Sequence, residues 1–331
     1  MQNFEYQRAD NIEAALSATH GSPTARFIGG GTNLTDYMAL GVMRPELLID
    51  INHLPPQYAQ IESDERRLRL GALVRMGQAE DDAVVRSRYP VIRDALALAA
   101  SRQVRNMATL GGNILQRTRC EYFRGTGFAC NKRTPGSGCA ALGGIDRAHA
   151  VLGTSENCIA AYAGDFAQAL IALDATVATV GGQGGPRSIP FGQLHRLPQD
   201  APQLETTLSA GELITHIEVP AGPWTARSRY LKVRDRDSYQ FALASAAVAL
   251  HLEDGMVREA RIALGGVATV PWRAREAEAL LSGKRLDEAL AQRAAEAAFA
   301  GARVGRHNAF KVPLGKRTVV RALLEVHTMS V

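Results

Sequence analysis

Residues 106–114 read NMATLGGNI, continue as LQRTRCEYFRGTGFACNKRTPGSGCA (115–140), and reach ENCIAAYAGDFAQALIALDATV at 156–177. A Gly-Gly-Asn turn suited to a phosphate opens the stretch. All four cysteines of the chain follow within it, at Cys120, Cys130, Cys139 and Cys158. Upstream, FIGGGTNL (27–34) is a second glycine loop of the same kind. Glycines followed by Thr32 and Asn33 place backbone N–H groups and short polar side chains at the start of a helix, an arrangement that suits an anion.

Around these loops the chain reads as three units. In the first, IEAALSA gives an amphipathic helix within 11–18, Arg26–Ile28 a strand, TDYMALG a helix and PELLIDI (45–51) another strand, closing near Pro56. In the second, RRLRLGALVRM (66–76) alternates as a half-buried strand, and Pro90 starts a helix over 91–100. A helix over 165–172, a strand over 175–180, a turn-rich connection GGQGGPRSIP (181–190) and a strand over 211–220 complete it. In the third, FALASAAVALHLEDGMVREARIALGG (241–266) is two strand-like runs joined by an EDG turn, with helix possible in the Ala-rich half. Helices over 274–281 and 286–300 follow, and TVVRALLEV is a further helix or strand. Segregated hairpins and helices indicate α+β rather than a repeated βαβ series. The expected boundaries are 1–56, 57–222 with a cysteine-bearing insertion over about 116–160, and 223–331.

Composition narrows the function. Lys and Arg number 38 against 33 Asp and Glu, a net +5 that favours anionic ligands without a Lys/Arg run for nucleic acid. No window approaches the length of a membrane span, and MQNFEYQRADNIEAAL does not read as a secretion signal. The chain has no GxGxxG or GxxxxGK[ST] loop, no G-x-S-x-G elbow and no HExxH motif. His53, His195 and His216 lie beside turns or strands and read as structural or exposed. The chemistry is therefore cofactor chemistry, and two separate glycine loops suit the pyrophosphate of one extended cofactor. The cysteines, spaced C-x9-C-x8-C-x18-C, match neither a compact ferredoxin run nor paired zinc-finger ligands. Their confinement to one polar segment favours a metal or cluster site over packing. A [4Fe–4S] cluster, structural zinc, unliganded thiols and disulfides all stay open.

These features resemble the FAD-binding medium subunits of the xanthine dehydrogenase and molybdenum hydroxylase family. The resemblance is carried by F-x-Y (4–6) with EAA (13–15), FIGGGTNL, ATLGGNI, GDFAQALIALDA (164–175), GELITHIEVP (211–220) and YLKVRDRDSYQFALASAAVAL (230–250). It implies a two-part FAD-binding domain of the vanillyl-alcohol-oxidase/molybdopterin-dehydrogenase type. A small α+β C-terminal domain of the carbon monoxide dehydrogenase flavoprotein type would follow. It assigns FAD contacts to Phe27, Ile28, Gly29, Gly30, Gly31, Thr32, Asn33 and Leu34 in the first loop, and to Thr109, Gly111, Gly112 and Asn113 in the second. Asp165 would be an acidic cofactor or loop contact, Ile214 an apolar one and Lys232 a basic one. No residue of this chain would be catalytic.

The family's short connection after GGNI is replaced here by the cysteine insertion. In this the chain resembles the FAD subunits of 4-hydroxybenzoyl-CoA reductases, whose added loop carries a [4Fe–4S] cluster. That likeness implies Cys120, Cys130, Cys139 and Cys158 as ligands, although the cysteine spacing is not the same. The chain is also similar to FAD subunits of bacterial periplasmic aldehyde oxidoreductases. The implied assembly joins it to a large subunit with a molybdenum cofactor and a small subunit with [2Fe–2S] clusters. Electrons would pass through FAD to an external acceptor, and export to the periplasm would be shared with a signal-bearing partner. The other readings are a non-catalytic binding subunit with a zinc-stabilised loop and a free-standing flavin oxidase.

Overall fold

The computed structural model describes residues 1–182 and 185–331; part of the connection 181–190, at 183 and 184, lies outside them. Three sheets divide the chain. The first is parallel, in the order Glu5–Arg8, Leu47–Asp50, Arg26–Ile28, with Phe27 opposite Ile49. Helix Ile12–His20 links its outer strands, with Asn11 accepting the Ala14 N–H at 2.7 Å as N-cap. This sheet and helix share a small core around Ala15, Ile49 and Leu213.

The second sheet is antiparallel, in the order Ile61–Ser63, Arg67–Gly71, Leu213–Pro220, Thr176–Val180, Arg187–Pro190. The strand expected over 66–76 stops at Gly71, where a β-carbon would stand 2.4 Å from the Tyr58 carbonyl oxygen. Chain reversal there leads into helices Met76–Asp81, Ala83–Arg88, Pro90–Ala97 and Arg102–Met107. These, with Phe166–Ala172, cover the sheet and fill the largest core, around Tyr89, Leu96, Phe166 and Ile217.

The third sheet runs Trp272–Arg273, Met256–Gly265, Ala244–Glu253, Ser228–Val233, with Lys284–Arg285 pairing Met256–Val257. The Ala-rich half of the 241–266 run is strand rather than helix because it is buried on both faces. Ala246, Val248 and Leu250 face the core made with helices Arg275–Leu281, Glu288–Ala298 and Lys311–His327. Ala247 and Ala249, on the alternate face, belong to the core of the second unit. Alanine there lets the sheet approach the flanking helices closely. The last helix extends well beyond the expected TVVRALLEV; Pro313 is tolerated in its first turn, where backbone N–H groups lack intrahelical partners.

The insertion after Ile114 carries little regular structure, a single turn of helix at Glu121–Arg124. Its far end is fastened to the third unit. Asp146 accepts the amides of Arg306 at 2.9 Å and His307 at 2.7 Å. Lys311, almost fully buried, donates to the carbonyls of Ala148 at 3.1 Å and Gly266 at 2.6 Å. No helix among the described residues is long and apolar enough to cross a membrane.

Candidate cofactor cleft

Strand Arg26–Ile28 delivers the first glycine loop to a point facing the second. At Gly31 the backbone turns at φ +72°, a conformation that favours glycine, and Thr35 N–H closes the turn on the Gly31 carbonyl at 3.0 Å. The amides of Gly30, Gly31, Thr32 and Asn33 donate to no protein acceptor among the described residues. They are the free donors that the loop composition led one to expect.

The second loop differs. Leu110 N–H is taken by the Val74 carbonyl and Gly111 N–H by that of Ala72, both at 2.9 Å. Gly112 N–H goes to Thr109 Oγ1 at 3.2 Å and Asn113 N–H to the Thr109 carbonyl at 2.8 Å. The amides from Leu110 to Asn113 are thus consumed, two in docking the loop to Val74 and Ala72 and two in capping on Thr109. What it offers a ligand is side chains and glycine surface. The doublet's first member serves packing, since Gly111 lies against Ala72 rather than on the cleft wall.

Between the loops lies a cleft of about 690 Å³. Phe27, Ile28, Gly29, Gly30, Gly31, Thr32, Asn33, Leu34, Thr109, Gly112, Asn113, Asp165 and Lys232 all line it. Ile214 does not. It sits near the start of strand Leu213–Pro220, in the core of the second unit with Ile217 and Val219.

The far wall is a buried polar cluster. Lys232 Nζ donates to Asp165 Oδ2 at 2.7 Å and to the Leu98 carbonyl at 3.0 Å; Tyr230 donates its hydroxyl to Asp165 Oδ1 at 2.6 Å. Burial pushes the Asp165 carboxyl up, and the Lys232 ammonium and Tyr230 hydroxyl oppose that shift. Asp165 precedes helix Phe166–Ala172, whereas Lys232 lies on the edge strand of the third sheet. The wall therefore spans two units.

Residues that motif reading missed come from the insertion and from the turn after Val233. Arg117, Arg119 and Arg124 line the cleft, and Arg119 and Arg124 both reach Asp36 Oδ2 at 2.5 Å. Arg124 first, then Arg119, holds the Asp36 carboxyl below the usual carboxylate range. Tyr239 and Phe241 close the mouth from the third unit, and Phe241 lies 5.2 Å under the Arg119 guanidinium. The signal available in the sequence was the RTR run beside Cys120, which reads more simply as a solvated loop.

Two polar atoms argue that the cleft is built for a polar ligand. Asn33 Oδ1 accepts the Arg117 amide at 3.1 Å, but Asn33 Nδ2 is buried without a partner. Asn113 Oδ1 is likewise buried and unpaired. Buried polar atoms left unpaired are costly unless a ligand meets them. With free glycine amides beside Asn33 and mostly basic side chains around the cleft, a dinucleotide pyrophosphate with its ribose and ring groups suits the donor set. FAD fits.

The expected [4Fe–4S] cluster is corrected, and with it the zinc alternative. Among the described residues, no group of three or more His, Cys, Asp and Glu side chains is arranged to hold a metal ion. The four cysteines are free thiols. Cys120 lies 3.1 Å from His149 Nε2, and burial pushes its thiol up to about 12. Burial raises Cys158 too. Neighbouring thiols add to both shifts, so the four residues share a neighbourhood. Cys130 packs with Tyr37 and Phe123 in a small apolar cluster. Its polar sequence neighbours hid that environment, because Tyr37 comes from the first unit.

The match to known proteins follows this division. Residues 2–222 match the FAD binding domain in molybdopterin dehydrogenase, and residues 229–326 the CO dehydrogenase flavoprotein C-terminal domain. The chain belongs to this family: it is the FAD-binding subunit of a multi-subunit, molybdenum-dependent oxidoreductase, and substrate oxidation resides in a partner chain. It is 45% identical over 331 residues to the aldehyde oxidoreductase FAD-binding subunit PaoB of Escherichia coli (strain K12), covering 100% of both chains. It is 28% identical to the glyceraldehyde dehydrogenase medium chain of Sulfolobus acidocaldarius, covering 87% of this chain and 84% of that one. Among solved structures, quinoline 2-oxidoreductase from Pseudomonas putida 86 superposes with a TM-score of 0.75 at 25% identity, covering 98% of this chain and 97% of that one.

Proposed function

We propose that this subunit carries electrons from the [2Fe–2S] clusters of a small partner subunit, through FAD, to an external acceptor. The partner large subunit would oxidise an aldehyde at a molybdenum cofactor. The observation that carries the reading is the cleft between the two glycine loops, with free amides at Gly30–Asn33 and the unpaired Asn33 amide donor. The full-length likeness to an aldehyde oxidoreductase FAD-binding subunit supports the substrate class.

Bound there, FAD supplies the ability to accept and release electrons singly or in pairs. The chain's own task is placement. Backbone donors of the first loop and Asn33 Nδ2 would hold the anionic middle of the cofactor. Thr109 and Asn113 bound it from the opposite side, and Lys232 presents positive charge from the third unit. Lys232 has three N–H donors, and Asp165 and Leu98 engage it at two acceptors, leaving capacity for a ligand acceptor. Periplasmic residence by co-export with a signal-bearing partner is part of the same proposal.

The test is co-purification with the partner subunits, followed by anaerobic addition of an aldehyde. One flavin per chain, bleached by the aldehyde and re-coloured by an electron acceptor, is the expected result. A complex that oxidises aldehyde without flavin, or with flavin that stays oxidised, would overturn the reading. Flavin turnover by this chain alone would favour the free-standing oxidase.

A further inference from the structure

Two residues outside the cleft join the loops that form it. Asn52 follows strand Leu47–Asp50 of the first sheet, and Arg75 precedes helix Met76–Asp81 of the second unit. Neither lines the cleft. Asn52 Nδ2 donates to the carbonyl of Gly29, in the first loop, at 3.0 Å. It is steadied by Asp50 Oδ1, which accepts the same Nδ2 at 2.6 Å and the Asn52 backbone amide at 2.9 Å. Asn52 Oδ1 accepts from Arg75 Nη2 at 2.8 Å. The other arm of that guanidinium, Nη1, donates to the carbonyl of Met107 at 2.6 Å, at the entry to the second loop.

The result is a continuous connection from Gly29 through Asn52 and Arg75 to Met107. Its far end is a sensitive place. A β-carbon on Gly30 would stand 2.0 Å from that same Met107 oxygen, so the loops already meet backbone to backbone. The planar fork of Arg75 fixes where the oxygen lies, and the Asn52 amide fixes the loop facing it. Arginine suits the task because its two arms address two acceptors in one rigid plane, which a lysine ammonium on its flexible stem does not reproduce.

We propose that Asn52 and Arg75 form a positioning strut that sets the spacing of the two glycine loops, and so the grip of the subunit on the pyrophosphate region of its flavin. The inference rests on the FAD reading above. Asn52 is exposed and Arg75 partly so, which makes their contribution to the fold itself small and their substitution compatible with folding.

The test uses the assembled enzyme with R75K, N52D and the double variant. R75K keeps the charge but loses the fork. N52D keeps an acceptor for Arg75 but loses the donor to Gly29. Three quantities are measured: the rate of flavin release, the visible circular dichroism of the bound flavin, and the unfolding midpoint of the flavin-stripped full chain. Each single variant is expected to speed flavin release about tenfold, the size of one lost hydrogen bond. The flavin dichroism should change with it, while the stripped chain unfolds as wild type does. The double variant should release flavin no faster than the worse single one, since both interrupt one connection. Wild-type release and dichroism in both single variants would overturn the strut. So would faster release accompanied by a lowered midpoint of the stripped chain, which marks a merely structural role. A wild-type complex that holds no flavin would overturn the parent reading and the strut with it.

Discussion

Gly30 and Met107 meet so closely that no side chain could stand between them: a β-carbon at Gly30 would fall 2.0 Å from the Met107 carbonyl oxygen and 2.7 Å from the Ala108 Cα. The obstacle is backbone, which cannot swing aside as a side-chain tip would. Gly30→Ala must therefore push the two cleft walls apart. Flavin affinity is expected to drop on the order of a hundredfold, equivalent to about 3 kcal/mol, with the three sheets intact. Flavin content after gel filtration and far-ultraviolet circular dichroism check both halves of that statement.

Lys232 and Asp165 are a buried ion pair, with side-chain exposures of 1% and 5%. Removing one partner leaves the other charged and unpaired. Lys232→Met or Asp165→Asn alone should destabilise the protein by about 3–5 kcal/mol. The double variant should recover part of that loss, because the stranded charge is gone. A denaturant-based double-mutant cycle measures the coupling; strictly additive single effects would count against it.

Acid should loosen the second loop through His195. The ring is half-buried with its Nδ1 out of reach of solvent, its Nε2 lies 2.9 Å from the carbonyl of Ile114, and desolvation pushes its pKa down from the ordinary 6.5 to about 4. Between those values the unfolded chain binds a proton that the folded one does not. The stability associated with the neutral ring is therefore complete above pH 6.5 and lost as pH falls toward 4, by about 3 kcal/mol in total. Comparing unfolding free energies of wild type and His195→Phe across that range isolates the term. A pH slope unchanged by the substitution would refute it.

Ala247 is fully buried where the third sheet meets the second unit. Ala247→Leu should cost about 2 kcal/mol by overpacking this interface. Thermal unfolding should report the loss, and proteolysis near residues 221–227 should quicken as the two units part.

Much of this architecture was legible because local pattern and global fold agree. The strand that enters FIGGGTNL and the EDG hairpin each carry their geometry in consecutive residues. The reading stopped short where a partner lies far away in sequence. The run that begins as strand Arg67–Gly71 leaves strand geometry where it packs against Tyr58, which lies outside the alternating stretch. Cys130, among Lys, Arg, Thr and Gly, is apolar in its surroundings only because Tyr37 arrives from the first unit. Arg119 and Arg124 read as solvated until Asp36 and the cleft are placed beside them.

The grip of Lys311 on the Ala148 and Gly266 carbonyls has a temporal side. Residue 311 opens the helix Lys311–His327, so it is made after both glycine loops. The segment it holds belongs to the insertion whose other end brings Arg117, Arg119 and Arg124 to the cleft wall. Both glycine loops are made hundreds of residues earlier than that fastening, in a chain of 331 residues. The cleft wall is therefore completed only once the third unit has been made. Flavin loading should accordingly wait for that helix, and a chain cut before Lys311 should lose its yellow colour before losing the folds that bear the loops.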